Sequence, residues 1–139
     1  MSKAGGDYKE ILFEIKNKVA WISINRPEVR NAFREQTLDE LTDAVLSTRN
    51  DPSIVCIVIN GVGDKAFSAG GNVKNMQNKS GNFSGSSVGL RDRYKKGIHK
   101  IIKAIWNIEV PVIAAINGPA IGLGNDVACL ADIRISSDN

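Results

Sequence analysis

Six consecutive apolar residues, Ile54-Val55-Cys56-Ile57-Val58-Ile59, stand between the turn-forming Asp51-Pro52-Ser53 and Asn60-Gly61-Val62-Gly63. A run this short between turn signals reads as a strand, because a helix needs a longer stretch to bury its stripe. Side chains alternate faces along a strand, so an unbroken apolar run asks for cover on both faces, as a central strand of a parallel sheet has. The segments before it fit such a sheet. Ile11 to Ile15 and Val19 to Asn25 flank the polar Lys16-Asn17-Lys18 and read as a hairpin. Pro27 then ends the second strand by removing a donor and constraining its predecessor. From Glu35 to Arg49, Leu38, Leu41, Ala44 and Val45 share one face while Asp39, Glu40 and Asp43 lie elsewhere, which is helical spacing. Strand, strand, helix, strand is an α/β order.

A chain of 139 residues suits one domain able to bury a sizeable core. Its formal net charge of +3 is too small to argue for nucleic acid, though it is compatible with an anionic small ligand. The N-terminal MSKAGGDY lacks the apolar core of a signal peptide, and no later apolar run is long enough to span a bilayer. A cytoplasmic, reducing setting without membrane contact is the expectation. Cys56 and Cys129 sit in apolar segments without CxxC spacing, so both are expected to be buried reduced thiols and no disulfide is expected.

Asn60 to Ala66 superficially matches a GxGxxA dinucleotide fingerprint, yet a second glycine pair follows at once and residues near 80 are rich in Ser and Gly, so the fingerprint context is missing. That pair, Gly70-Gly71 in AFSAGGNVKNM, permits a tight turn and close approach of a ligand to the backbone, with Asn72 to Met76 expected as a short helical turn. The bland alternative is a tight surface turn. Ser68 lacks a GxSxG setting and is not read as a nucleophile. Residues 77–89 read as a mobile loop and residues 1–10 as a flexible lead. Arg91 to Ile108 is expected to be one long helix with Tyr94, Ile98, Ile101, Ile102 and Ile105 as its apolar stripe. Lys96, Lys100 and Lys103 share another face, either as solvated surface or as a rim for a phosphorylated ligand. Trp21 is expected in the core or half-buried, and Trp106 is expected to pack at the helix end. His99, the only histidine, lies among lysines and with two scattered cysteines makes no metal site.

The most informative stretch is PVIAAINGPAIGLGNDVACLAD, Pro111 to Asp132. It reads as a strand over Val112 to Ile116, a turn at Asn117-Gly118-Pro119, and a helix entered through Gly122-Leu123-Gly124. Leu123 falls in the first turn, where NH groups lack intrahelical acceptors and the macrodipole is positive. Asp126, three residues on, projects from the same face. Ile133 to Ser136 opens one more strand.

Asn25-Arg26-Pro27 with Asn31-Ala32-Phe33, then Ala66 to Met76, then Ala114 to Ser137 together resemble the enoyl-CoA hydratase/isomerase (crotonase) superfamily over nearly the whole chain. The resemblance implies a crotonase-like α/β spiral of repeated strand-strand-helix (ββα) units, here ending before the C-terminal helical region, and so part of a longer enzyme. It implies an acyl-CoA thioester as substrate, coenzyme A entering as part of that substrate and no prosthetic group. The backbone NH groups of Gly71 and Leu123 would be the oxyanion-hole donors, and Asp126 would match the first acidic residue, which is glutamate in typical hydratases and Asp in some isomerases. A helix-dipole or capping charge is the plainer role for Asp126. Ala69, Gly71, Asn72, Val73 and Lys74 would line the CoA side, and Arg30 would stand near its phosphates. The second acidic residue of hydratases has no counterpart within these 139 residues. Three functions stay open: hydration of a 2-enoyl-CoA, isomerisation of an enoyl- or dienoyl-CoA, and a non-catalytic acyl-CoA-binding or assembly module. The resemblance also implies a homo-oligomer, a trimer or dimer of trimers in the intact protein, and a chain of this length alone is expected to be weakly active or inactive.

Overall fold

The computed structural model describes residues 7–71, 78 and 86–138. Five strands, β1 (Ile11–Lys16), β2 (Val19–Ile24), β3 (Cys56–Gly61), β4 (Val112–Ile116) and β5 (Ile133–Ser136), form one sheet in sequence order. β1 and β2 pair antiparallel, with Lys16 opposite Val19, and every later neighbour is parallel. Asn17 and Lys18 both have positive φ, 52° and 67°, the twist a two-residue hairpin turn needs to match its strands. The parallel strands are joined by α1 (Glu35–Thr48), by the pair α2 (Ser87–Lys96) and α3 (Ile98–Trp106), and by α4 (Leu123–Leu130).

The register explains which residues make the core. Ala20, Ile57 and Val112 stand side by side across three strands, as do Ile22, Ile59 and Ala114, and all six are buried. Against this face lie Leu38, Leu41, Ala44 and Val45 of α1, Ile101, Ala104 and Ile105 of α3, and Val127 and Ala128 of α4. The opposite face is different. Trp21, Val58, Ile113 and Ile133 form its central row, and among the described residues no helix covers it: Trp21 is 39% and Ile133 51% exposed. The apolar run that asked for cover on two faces therefore has helices on one, and Val58 is sheltered in its row at the centre of the sheet.

Three further expectations are corrected. The segment expected as one helix from Arg91 is two, because Gly97 (φ −108°, ψ −92°) leaves helical geometry while its NH still reaches the Arg93 carbonyl at 2.7 Å. The first of the pair also starts earlier, at Ser87, where the Ser86 hydroxyl accepts the Gly89 NH as an N-cap. Trp106 does not pack at the helix end but is 76% exposed on its outer side. Cys129 lies on the exposed side of α4 and Cys56 is half-buried, so neither is the enclosed thiol its apolar neighbours suggested; both are free. The turn expected over 72–76, residues 1–6 of the lead and most of the loop over 77–89 lie outside the described residues. Residues 9 and 10 are anchored, since their NH groups donate to the Glu40 carboxylate at 3.1 and 2.8 Å. Lys100 and Lys103 line a groove of about 400 Å³ against Thr42, Leu46 and Arg49 of the α1 surface, and Lys100 Nζ lies 3.7 Å from Asp39, so the basic face borders α1 rather than Gly71 or Leu123.

A second, smaller stack sits at the ends of β2, β3 and β4. After each of these strands the chain makes a short extended segment: Phe33 after β2, Ser68 to Gly71 after β3, Ala120 after β4. Single parallel bridges join Phe33 to Gly71 and Ser68 to Ala120. Long strand, short extended segment, helix is thus repeated, which is the ββα unit that the family resemblance implied.

Candidate active site

The small stack brings the two glycine-rich stretches together. The Phe67 and Ser68 NH groups donate to the Pro119 carbonyl at 3.1 and 3.3 Å, and the Ile121 NH donates to the Ser68 carbonyl at 2.9 Å. On its other side the middle segment receives the Phe33 NH at the Gly70 carbonyl (2.7 Å) and sends the Ala69 NH to the Arg30 carbonyl (2.9 Å). Gly70 has φ +78°, which glycine adopts at no steric cost and which reverses the direction of its peptide.

That reversal aims the Gly71 NH. In a parallel bridge the partners of one residue are the carbonyl before and the NH after its opposite number. The Phe33–Gly71 bridge thus leaves the Gly71 NH facing away from Phe33, on the side where Ala120 is bridged. The second NH is set by Gly122, whose φ of +54° with ψ −125° is a backbone state for glycine. It turns the chain into α4, so that the Gly124 NH reaches Ile121 O and the Asp126 NH reaches Gly122 O, each at 3.0 Å, while Leu123 NH precedes the ladder. Among the described residues neither the Gly71 NH nor the Leu123 NH meets an acceptor. A Cβ added at Gly70 would lie 3.3 Å from the Leu123 nitrogen, which places the two stretches in direct contact.

Leu123 and Asp126 part ways on the helix. The Leu123 side chain is buried in the core with Val127, so it does not narrow the space outside its own NH. Asp126 is exposed in the first turn of the same helix, and its carboxylate has no hydrogen-bond partner among the described residues. Three residues apart on the helix, the one is thus buried and the other open to solvent. Arg30 is exposed in the left-handed region (φ 54°), Ala69 is half-buried beside it, and Asn72, Val73 and Lys74 lie outside the described residues. Metal-binding clusters of three or more His, Cys, Asp or Glu are absent among the described residues.

Two asparagines that the spacing did not single out hold these loops. Asn31, fully buried, accepts the Arg26 NH at 3.0 Å and donates from Nδ2 to the carbonyls of Val62 (3.1 Å) and Ala66 (2.9 Å). Asn117 accepts the Gly61 NH at 3.0 Å and donates to Gly63 O at 2.7 Å. A polar letter between apolar ones, in NAF and INGP, is the one sign of them in the sequence. Behind the Asn31 loop, buried Glu10 receives hydrogen bonds from the Arg34 guanidinium and the Thr37 hydroxyl, with Arg26 Nε at 3.4 Å. Burial alone would raise the Glu10 pKa, but the Arg34 and Thr37 hydrogen bonds and the charges of Arg26 and Arg34 outweigh it and hold the carboxyl below its ordinary value.

A sequence model described as enoyl-CoA hydratase/isomerase matches residues 14–139. The chain belongs to this family, the crotonase superfamily. Among curated relatives it is 39% identical over 132 residues to a crotonyl-CoA hydratase of Syntrophomonas wolfei, a match covering 95% of this chain and 48% of the relative. It is 32% identical over 133 residues to a short-chain-enoyl-CoA hydratase of Clostridium acetobutylicum, covering 96% and 48% respectively. The structure superposes on an enoyl-CoA hydratase/carnithine racemase from Magnetospirillum magneticum with a TM-score of 0.82 at 28% identity, over 92% of this chain and 46% of that one. An enoyl-CoA hydratase from Bacillus anthracis matches with a TM-score of 0.80 at 26% identity, over 92% and 47%. The family chain described here spans about half the length of the curated relatives it matches, and its sheet with stacked ββα units is the crotonase fold over that span.

Proposed function

We propose that the Gly71 and Leu123 NH groups hold the carbonyl oxygen of a 2-enoyl-CoA thioester and that the protein carrying this chain hydrates its double bond. The observation that carries the reading is the pair of NH groups that meet no acceptor among the described residues, one aimed by Gly70 and one at the start of α4, in segments that touch. Water attack at the β carbon pushes the double-bond electrons toward the carbonyl, and the thioester oxygen becomes an enolate oxygen. Two fixed NH donors stabilise that charge without reorganising, an effect of about 3 kcal/mol per donor in comparable sites. The water oxygen bonds the β carbon, one of its protons passes to a base, and a proton is delivered to the α carbon, giving the 3-hydroxyacyl thioester.

Asp126 is assigned one of these proton transfers, being exposed in the first turn of α4 and without a hydrogen-bond partner among the described residues. The other is assigned to a second acidic residue, as the family resemblance implies. Arg30, Ala69, Asn72, Val73 and Lys74 border the CoA side in this reading, and no prosthetic group takes part. The names of the relatives support hydration of short enoyl chains. Leu12, Trp21, Ile133 and Ile135 leave apolar area on the open face of the sheet, in keeping with a working form that is an assembly, a homotrimer or dimer of trimers in the cytoplasm.

The test is to incubate protein of the full reading frame with crotonyl-CoA and separately with a 3-enoyl-CoA, following conjugated-enoyl absorbance. Loss of absorbance with crotonyl-CoA, reduced about a hundredfold or more by Asp126→Ala, is the expected result. Conjugation appearing from the 3-enoyl-CoA alone would assign isomerisation, as an Asp at this position allows. Calorimetric binding of acyl-CoA with turnover of neither substrate would assign a binding module. The 139-residue chain by itself is expected to turn over crotonyl-CoA weakly or not at all.

A further inference from the structure

We propose that Ser68 is a positioning residue that sets the spacing between the Gly71 and Leu123 NH groups. It is fully buried, and both capacities of its hydroxyl are used: Oγ donates to the Asn31 carbonyl at 2.7 Å and accepts the Gly70 NH at 3.1 Å. Its proton goes to a backbone carbonyl and not to a base that could activate the hydroxyl. Its main chain reaches the other way, donating to Pro119 O at 3.3 Å and accepting the Ile121 NH at 2.9 Å. The first turn of α4 rests on it as well, since a Cβ at Gly124 would lie 2.8 Å from Ser68 Cβ and 3.0 Å from Ser68 Oγ. One residue thus holds the donor segment of Gly71 through its side chain and that of Leu123 through its backbone.

These two attachments respond differently to substitution. Ser68→Ala keeps the backbone bonds to Pro119 and Ile121, so α4 and the Leu123 NH stay in place. It releases the Gly70 NH, so that among the described residues the Phe33 NH on the Gly70 carbonyl is left to hold the Gly70–Gly71 peptide from one side, and the Gly71 NH on the other end of that peptide can tilt off its line. Oriented donors act through fixed direction, so the loss falls on the ligand group they face. A plain core serine would instead weaken everything about the fold equally.

The inference rests on the carbonyl-holding role proposed above, and the experiment separates the two. Calorimetry on protein of the full reading frame compares acetyl-CoA with its carbonyl-free thioether, S-ethyl-CoA. The wild type is expected to prefer the thioester. Ser68→Ala is expected to lower that preference about three- to tenfold, the effect of one neutral hydrogen bond, with thioether affinity unchanged. Ser68→Cys, whose thiol is a weaker donor and acceptor of similar shape, is expected to keep part of it. A wild type that binds both ligands equally, or neither, overturns the carbonyl role and the positioning role together. A Ser68→Ala protein with the wild-type preference, or with both affinities lowered alike, overturns positioning alone. Should Ser68→Ala fail to fold, a folded Ser68→Cys protein with the full wild-type preference overturns it equally.

Discussion

Gly70 and Ile121 meet backbone to backbone: a Cβ at position 70 would lie 2.3 Å from the Ile121 carbonyl oxygen. The two belong to stretches about fifty residues apart in the chain, and their contact is what brings the Gly71 and Leu123 NH groups to one place. Only a residue without a side chain allows it.

Gly70→Ala therefore meets two penalties at once. The methyl must displace main chain rather than a flexible side chain, and φ of +78° is strained for any residue with a Cβ. A loss of about 3 kcal/mol or more in unfolding free energy is expected, read as a lowered urea midpoint. Gly122→Ala gives the contrast, because nothing lies within 4 Å of a Cβ there. Its cost is confined to the backbone and is expected to be smaller. Equal losses in the two variants would show that the contact with Ile121 is not tight.

Asn31 combines a left-handed backbone (φ 55°) with a buried amide that makes three hydrogen bonds. Asn31→Ala abandons the carbonyls of Val62 and Ala66 and also strains position 31, whereas Asn31→Gly abandons the same partners without the strain. Both are expected to lose stability by about 2 kcal/mol or more, with the glycine variant about 1 kcal/mol the more stable. Chemical denaturation of the pair checks it. An alanine variant at least as stable as the glycine variant would contradict the backbone part of the account.

The strands and helices were legible where local pattern and tertiary need coincide. The Val112 to Ile116 strand, the turn after it and the helix from Leu123 all follow from their own letters. The cover of β3 did not, because an apolar run reports only that burial is favourable and not which side another element takes. Trp21 and Trp106 failed for the same reason. Gly97 went unnoticed because the stripe of Tyr94, Ile98, Ile101 and Ile105 continues through it, and a single glycine in a helix costs only about 1 kcal/mol. Gly71, Leu123 and Asp126 stand out through glycine spacing and helix position. Asn31, Ser68 and Asn117 do not, since their partners are main-chain atoms of distant segments that no spacing rule names.

Exposure of Cys129 on α4 has a chemical consequence that its setting in VACLAD hides. Thiol reactivity requires access as well as ionisation. One equivalent of maleimide is expected to add rapidly at Cys129 in the native protein, followed by slower addition at half-buried Cys56. Intact mass against time, with Cys129→Ser as the control, distinguishes them. Slow addition at both sites, accelerated together by urea, would place Cys129 under cover in solution.

Glu10 should make stability depend on acid pH. Its folded pKa is lowered by the Arg34 and Thr37 hydrogen bonds and the nearby guanidinium charges, which outweigh the opposing effect of burial. A carboxyl with a depressed folded pKa contributes fully above its unfolded value, about 4.3, and loses that contribution as pH falls through the folded value. Glu10→Gln removes the charge and keeps the shape, leaving Arg34 and Arg26 facing a neutral amide. At neutral pH the variant is expected to be about 2 kcal/mol less stable, in the range of hydrogen bonds to charged groups. Below the unfolded pKa the wild type takes up a proton at this position and the difference between the two proteins shrinks. Urea midpoints measured from neutral pH downward should converge in that acidic window; a gap that stays constant across it would mean that Glu10 acts through shape and not through charge.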